Sequence, residues 1–319
     1  MKLVRLVSLG AALVGALSLG ACGDDSGNGG QDAATGSDGS NSGSDGSGSD
    51  VDVGFKTPTA VLTANSGNTM VGPADLSCLG SANTDMALTT AATLNTTVLD
   101  FFNQTPDDGV TVTAFAGIDV GTPFDTQGPT DGTGAVSIHV PIGTKRFGIK
   151  MTQLSSLDTL LLNQYLDPAG GTQTDPSSIQ IVSQSTGQLL PSLVGIDRTP
   201  GTGVLAGAFR DCQNHEVSNF IATVSSTEGT ATPLTNANVF YFNLDPAIPE
   251  RHSLADASTA NGLFVALQLP VATTAYVQIW GFKSQADLTA GTLTLVGELA
   301  LPVVADTVIT GSYVPLRAN

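Results

Sequence analysis

The sequence is short of charge, and above all of positive charge. Only 12% of its 319 residues are charged, and 11 Lys and Arg stand against 28 Asp and Glu, for a formal net charge of -17. A nucleic-acid-binding surface has to be basic because it displaces counterions from phosphates. The composition therefore excludes nucleic acid as a partner.

Residues that favour exposed helix are also scarce. The chain holds 24 Asp but only 4 Glu, and it is rich in Thr, Ser, Val and Gly, which suit strands and turns better than helices. The length is sufficient for two domains with sizeable cores. The composition predicts a mainly β protein.

The apolar stretch at residues 6–19, which follows Lys2 and Arg5, is built like a secretory signal and not like a membrane-spanning helix. It leads into Leu-Gly-Ala-Cys at residues 19–22. This ending resembles the lipobox of bacterial lipoproteins, whose cysteine thiol receives a diacylglycerol. The resemblance implies a signal peptide over residues 1–21 and lipidation of Cys22. The alternative is simple cleavage that leaves Cys22 an unmodified thiol.

Gly23, rather than Asp, follows the cysteine. This resembles lipoproteins sorted to the outer membrane of a Gram-negative cell, facing the periplasm or the cell surface. Residues 23–53 then contain 9 Gly, 7 Ser and 7 Asp, without Lys, Arg or aromatic residues. Such a segment buries too little apolar surface to offset its conformational entropy, so residues 22–53 are predicted to be a lipidated, disordered linker. Its aspartates lack calcium-loop spacing, and no metal or other cofactor is predicted.

From about residue 54 the pattern changes to short alternating segments separated by turn residues. Val136, Ile138 and Val140 lie on one face of a predicted strand, with Ser137 and His139 on the other. Further strands are predicted over residues 109–115, 217–224, 238–244, 263–269, 275–280, 291–301 and 307–316. Many short strands with turns between them are typical of a β-sandwich.

An internal repeat supports two similar units. Residues 130–134 lead into a strand ending Val140-Pro141, and residues 259–262 lead into one ending Leu269-Pro270. Aligned on the proline, three apolar positions of one predicted face coincide: Val136, Ile138 and Val140 with Val265, Leu267 and Leu269.

These motifs, with Thr130-Asp131 and Gly143 in the first copy and Gly207 and Asp211 in the second, resemble the regulatory-like domain of carboxypeptidases. That family has a transthyretin-like Greek-key sandwich. The resemblance implies two such domains in tandem, over residues 54–195 and 196–319, with an accessory, structural or binding role and no catalytic residues.

One or two short helices are predicted between the copies. Helix-like spacing of apolar residues occurs over residues 154–165, at Leu154, Leu157, Leu161 and Tyr165, and again over residues 183–194. Gly187 and Pro191 oppose a helix in the second segment.

Beyond Cys22 the chain has two cysteines, Cys78 and Cys212. An exported protein passes through an oxidising compartment, where the two can form a disulfide. The alternatives are two buried free thiols, or a catalytic or metal-binding thiol, for which no local signature supplies a base.

The three histidines show no catalytic motif. His215-Glu216 resembles the start of the metalloprotease motif His-Glu-x-x-His, but Asn219 stands where the second histidine belongs. The pair is therefore interpreted as a polar turn. A hydrolase is an alternative if folding brings His139, His215 or His252 near a carboxylate and a Ser, Thr or Cys side chain.

Tyr276, Gln278 and Trp280 share one face of a predicted strand. Exposed, they would form a ladder able to stack on a sugar ring; alternatively, Trp280 packs into the core or under a loop. The sequence thus predicts a non-enzymatic exported lipoprotein, a structural or binding module held at a membrane by its lipid. The alternative is a carbohydrate- or peptide-binding protein that uses this ladder.

Overall fold

The computed structural model describes residues 57–175, 177–235, 237–244, 247–251 and 257–318. Cys22, with the predicted signal peptide and linker, lies outside the described residues, and so does His252. The described part of the chain is mainly β, which confirms the predicted fold class.

Nineteen strands lie within the described residues: β1 (Thr63–Ser66), β2 (Thr69–Pro73), β3 (Ala92–Asp100), β4 (Thr111–Ala116), β5 (Pro123–Gln127), β6 (Ala135–Val140), β7 (Phe147–Thr152), β8 (Ser156–Gln164), β9 (Gly171–Thr174), β10 (Ile179–Ser183), β11 (Gly203–Phe209), β12 (Glu216–Ser218), β13 (Ile221–Ser225), β14 (Asn238–Phe242), β15 (Pro249–Glu250), β16 (Leu263–Leu269), β17 (Ala272–Gly281), β18 (Thr294–Val303) and β19 (Thr307–Tyr313). The helices are α1 (Gln184–Leu193) and α2 (Gln285–Ala290). Neither of these helices has the length and apolar character needed to cross a membrane.

The largest sheet runs through both halves of the sequence. Its hydrogen-bonded order is β15-β14-β16-β11-β19-β8-β10-β3-β6, and β4, β5, β7 and β9 branch from this path. At its centre β8 pairs in parallel with β19, from Asp158 opposite Thr307 to Leu161 opposite Thr310. Backbone pairing therefore crosses the predicted domain boundary at residues 195 and 196. Two smaller sheets have the orders β12-β1-β2 and β13-β17-β18.

Two apolar cores give the fold its sandwich character. The first is shared by β3, β4, β6, β7 and β10, and includes Leu94, Val112, Ile138, Phe147 and Ile179. The second lies between sheet β13-β17-β18 and strands β11, β16 and β19, and includes Phe209, Phe264, Val277, Val296 and Ile309. Each core is a layer of side chains enclosed by strands on both sides, as in packed β-sheets.

The helix predicted over residues 154–165 is wrong, because residues 156–164 form β8. Leu161 lies in the first core, Leu160 and Leu162 in the second, and Leu157 in a third cluster beneath α1. A strand buried on both faces has an almost continuous apolar run instead of alternation. That run produced the helix-like spacing.

The second predicted helix is confirmed as α1. The Ser183 hydroxyl caps it by accepting the N–H of Thr186 at 3.2 Å. Gly187 is needed for close packing, because a Cβ there would lie 2.2 Å from Leu157 Cδ1. The tertiary contact thus outweighs the low helix propensity of glycine.

The two copies of the internal repeat differ in burial. β6 alternates between buried and exposed residues as predicted, whereas β16 is buried on both faces. Val265 and Leu267 face the cluster beneath α1, but Leu269 lies in the second core. Gln268 has a φ of +56° and the pairing with β11 shifts register nearby. The prediction that Leu269 shares the face of Val265 and Leu267 is therefore wrong.

Two aromatic rings meet over Gly207 in β11. The ring centroids of Phe264 and Tyr313 are 5.5 Å apart. A Cβ on Gly207 would lie 2.5 Å from Phe264 Cζ and 2.6 Å from Tyr313 Cε2. Glycine is required here for space.

We expect Gly207→Ala to lower the free energy of unfolding by about 1–3 kcal/mol, because a methyl group overpacks a closed core. Urea denaturation followed by circular dichroism measures the change. Gly132→Ala is the control, since a Cβ at Gly132 would have no neighbour within 4 Å. Equal stability of the two variants would contradict the packing argument.

Asp175 is a buried carboxyl after β9. It accepts the Ser177 N–H at 2.9 Å and the Thr96 hydroxyl at 3.4 Å. Burial raises the pKa of Asp175 above its ordinary value, despite these hydrogen bonds. The folded state therefore holds this proton more tightly than the unfolded state. The native protein should gain stability as the pH falls through the raised pKa towards the ordinary value of 3.8.

Asp175→Asn should be more stable than the native protein at pH 7, because the amide carries no charge to desolvate. Its oxygen can still accept the Ser177 N–H, and its NH2 can donate to the Thr96 hydroxyl. The variant should also lose the gain that Asp175 gives on acidification. Thermal unfolding at a series of pH values between neutral and mildly acidic tests both statements. A difference between the two proteins that does not depend on pH would contradict them.

Candidate functional site

The predicted pair Cys78 and Cys212 is confirmed as a disulfide, with Cα atoms 5.9 Å apart. It joins the segment that follows β2 to the loop between β11 and β12. Both cysteines are only partly buried and line an open cleft.

Residues 74–83, here called the strap, run between that loop and residues 314–318 after β19, here called the tail. On the loop side, the Asp75 N–H donates to Asp211 Oδ2 at 3.1 Å. On the tail side, the Gly80 N–H donates to the Leu316 carbonyl at 2.8 Å. The strap therefore connects a loop near the middle of the chain to the tail at its end.

Asp211 is the buried carboxylate that shapes the loop. It accepts the N–H groups of Asp75 at 3.1 Å and His215 at 2.9 Å, and His215 Nδ1 lies 3.4 Å from Oδ2. Glu216, which follows His215 in the sequence, forms an ion pair with Arg210 at 2.8 Å. His215 and Glu216 thus serve internal bonds of the loop, in keeping with the polar-turn interpretation.

The cleft beside the disulfide has a volume of about 460 Å³. The strap, the loop and the tail form its walls, together with side chains from β18 and the β7–β8 region. Its polar lining includes Thr84, Asp85, Arg146, Asn214, Glu298 and Arg317. We take this cleft as the candidate functional site because it is concave, open and lined by convergent polar groups.

The guanidinium group of Arg146 forms part of one wall of the cleft and is held in place by several contacts. Arg146 Nε donates to Asp85 Oδ2 at 2.7 Å and Nη2 bonds the same oxygen. Its Nη1 donates to the Asn163 carbonyl at 3.0 Å, and the guanidinium lies over the Tyr165 ring, 4.9 Å from its centroid. Arg146 is therefore neutralised and fixed in place.

No pattern in the sequence predicts the cleft. Its lining comes from short segments around residues 78–85, 146, 163, 211–214, 298 and 312–317, which no local motif connects. The one available signal was the rarity of basic residues, since two of the few arginines, Arg146 and Arg317, meet here.

His139 lies on the exposed face of β6, as predicted. Its Nδ1 is 3.2 Å from Asp125 Oδ2 and 3.2 Å from Gln127 Nε2. Burial acts to raise the pKa of Asp125, but the hydrogen bonds from His139 and Gln127 outweigh it and hold that pKa below its ordinary value.

The histidines therefore occupy separate networks, His139 on Asp125 and His215 on Asp211. Neither is hydrogen-bonded to a Ser, Thr or Cys side chain in the described ranges. Those ranges also contain no group of three His, Cys, Asp or Glu side chains arranged to hold a metal ion.

The ladder of Tyr276, Gln278 and Trp280 is not an exposed surface. Gln278 is fully buried, and its Nε2 donates to the Thr227 carbonyl at 2.9 Å and to Glu298 Oε2 at 2.7 Å. Tyr276 and Trp280 are partly buried, and Trp280 packs against the second core. The loop that carries Thr227 covers this face of β17, a long-range contact that strand periodicity does not reveal.

No protein-family model and no curated protein matches the chain. Among solved structures, the TIE protein of Bacillus anthracis matches at 10% identity and a TM-score of 0.21 over 71% of this chain, which spans 34% of that protein's length. The shaft pilin SpaA of Lactobacillus rhamnosus GG matches at 11% identity and a TM-score of 0.21, over 72% of this chain and 98% of that one. A streptococcal ancillary pilin matches at 12% identity and a TM-score of 0.21, over 72% and 63%. Similarity at this level does not bear on function.

We expect the double variant Cys78→Ser/Cys212→Ser to lose up to about 4–5 kcal/mol of stability, because its unfolded chain regains the entropy of a long closed loop. The sequence separation closed by the bond is 134 residues. Urea denaturation with and without a reductant measures the loss. The reductant should weaken the native protein to the level of the variant and leave the variant unchanged; a native protein insensitive to full reduction would contradict this.

Proposed function

We propose that the protein is an exported, lipid-anchored module without catalytic activity, held at a bacterial membrane by a diacylglycerol on Cys22. The observation that carries the proposal is the Cys78–Cys212 disulfide. Such bonds persist in oxidising compartments and are rare in the cytosol. Export is also what the leader and its Leu-Gly-Ala-Cys ending predict.

A structural role is supported by the way in which the described part of the protein, which begins at residue 57 and is here called the body, is joined to the predicted linker. The composition of residues 23–53 predicts a flexible linker. A flexible linker of that length has an end-to-end distance of roughly 30 Å, which would place the described part of the protein close to the bilayer. β1, near the start of the described chain, pairs with β12 and β2 on its two sides. Tension on the tether that broke these pairs could unravel the chain only as far as Cys78, where a covalent bond stops it.

The finer assignments belong to the same proposal. Gly23 favours sorting to the outer membrane of a Gram-negative cell, with the body in the periplasm or at the cell surface. The repeat favours two transthyretin-like units of the regulatory-like type found in carboxypeptidases. In this proposal the membrane is reached through the lipid, and any ligand is a glycan or a protein bound by the body.

The lipid is tested by growing cells with labelled palmitate. The native protein should incorporate label and sediment with membranes, because the acyl chains partition into the bilayer. Cys22→Ser should lose the label and become soluble after release from the cell. Cys212→Ser, which removes a cysteine of the disulfide and leaves Cys22 in place, should keep both label and sedimentation.

Label retained by Cys22→Ser would refute the anchor. Separation of inner and outer membranes tests the sorting: the native protein should be found with the outer membrane, and Gly23→Asp should move it to the inner membrane. An unchanged distribution in Gly23→Asp would refute the role of Gly23.

A further inference from the structure

The cleft beside the disulfide contains polar groups that the fold does not use. Arg317 donates one hydrogen bond, from Nη1 to the Ser81 hydroxyl at 2.6 Å, and has no carboxylate partner within the described chain. The side chains of Thr84 and Asn214 make no hydrogen bond to any described residue. Unused donors and acceptors that converge on one cavity indicate a ligand.

Arg317 differs in this respect from three other arginines of the body. Arg146, Arg198 and Arg210 are paired with Asp85, Asp306 and Glu216 respectively. In a chain of net charge -17, an arginine without an acidic partner among the described residues is conspicuous. A guanidinium is suited to a planar carboxylate, which it can bind with two parallel hydrogen bonds.

The rest of the cleft offers further hydrogen-bond donors and acceptors. Glu298 uses Oε2 to accept the N–H of Gly229 at 2.8 Å and the amide of Gln278 at 2.7 Å, and leaves Oε1 available. The Ser312 hydroxyl, in β19 beside the cleft, is buried without a hydrogen-bond partner among the described residues. Hydroxyls and amides that both donate and accept match the hydroxyl groups of a sugar.

We propose that this cleft binds an acidic sugar, whose carboxylate pairs with Arg317 and whose hydroxyls bond Thr84, Asn214 and Glu298. This inference rests on the binding role in the proposed function and names its ligand class. A volume of about 460 Å³ lies in the range of ligand sites, about 300–1,000 Å³.

An extended peptide fits the cleft less well. Peptides commonly bind by adding a strand to a free sheet edge. Here β18 is the edge of its sheet, and the tail already occupies it, because the Leu316 N–H donates to the Val296 carbonyl at 2.8 Å.

The test titrates the purified full-length protein with glucuronate, galacturonate and N-acetylneuraminate by isothermal calorimetry. The methyl ester of each sugar is the matched probe, since it keeps the hydroxyls and loses the charge. At least one acid should bind, and its ester should bind at least about ten-fold more weakly, because a charge-assisted pair is lost. The absence of binding by all three acids, or equal affinity for acid and ester, would overturn the proposal.

Variants assign the contact. Arg317→Gln should abolish the preference for the acid over its ester, whereas Lys283→Gln, which removes an exposed charge outside the cleft, should preserve it. Thr84→Val should weaken both probes, because it removes a hydroxyl without changing the charge. Circular dichroism and thermal unfolding confirm that each variant is folded. A preference for the acid that survives Arg317→Gln would overturn the assignment.

The Cys22→Ser protein, which carries the same body, should bind the sugar as the native protein does. The sugar titration and the palmitate experiment therefore fail independently: loss of labelling does not affect the binding result, and absence of binding does not affect the anchor.

Discussion

The burial of β8 on both faces is the constraint on which the architecture depends. This strand sends Leu161 into the first core, and Leu160 and Leu162 into the second. It pairs with β7 and β10 from its own half of the sequence and with β19 from the other. Neither core could be enclosed without it, because it contributes side chains to both. The two halves thus share one hydrogen-bonded sheet and part of their apolar interior.

Many strands could be predicted because the alternation of apolar and polar residues along them matches the alternation of buried and exposed positions in the fold. β6 has one solvent-exposed face, and its residues alternate between apolar and polar. Its bounds, residues 135–140, therefore follow from periodicity. β8 has no solvent-exposed face, and the apolar residues of its continuous run also fall at helical spacing. The alignment of Leu269 with Val140 failed for a related reason. The positive φ of Gln268 turns Leu269 to the other face, and nothing in the local sequence distinguishes that turn from a regular strand.

The candidate site also has a part that the sequence predicts, the disulfide, and a part that it does not, the cleft. Cys78 and Cys212 could be paired because only two cysteines follow Cys22, so counting replaced geometry. The cleft depends on contacts between segments far apart in sequence, as when Arg317 of the tail meets Ser81 of the strap. The prediction of an exposed ladder on β17 failed because a loop covers that face and buries Gln278. Short-range periodicity reports which face a residue occupies, but not what lies on that face.

In the proposed function, the strap takes part both in holding the protein to its tether and in forming the cleft. The segment that carries Cys78 is also a wall of the cleft, and its tail-side bond from Gly80 to Leu316 holds the residue next to Arg317. If the disulfide were reduced, the strap would keep its hydrogen bonds to the loop and the tail but lose the covalent stop at Cys78. A ligand that bridges Thr84, the residue after the strap, and Arg317 of the tail would then oppose the release of the strap, since it would bind only while these two segments lie together. In the proposed function, tension on the tether and occupancy of the cleft would therefore act on this part of the chain in opposite directions.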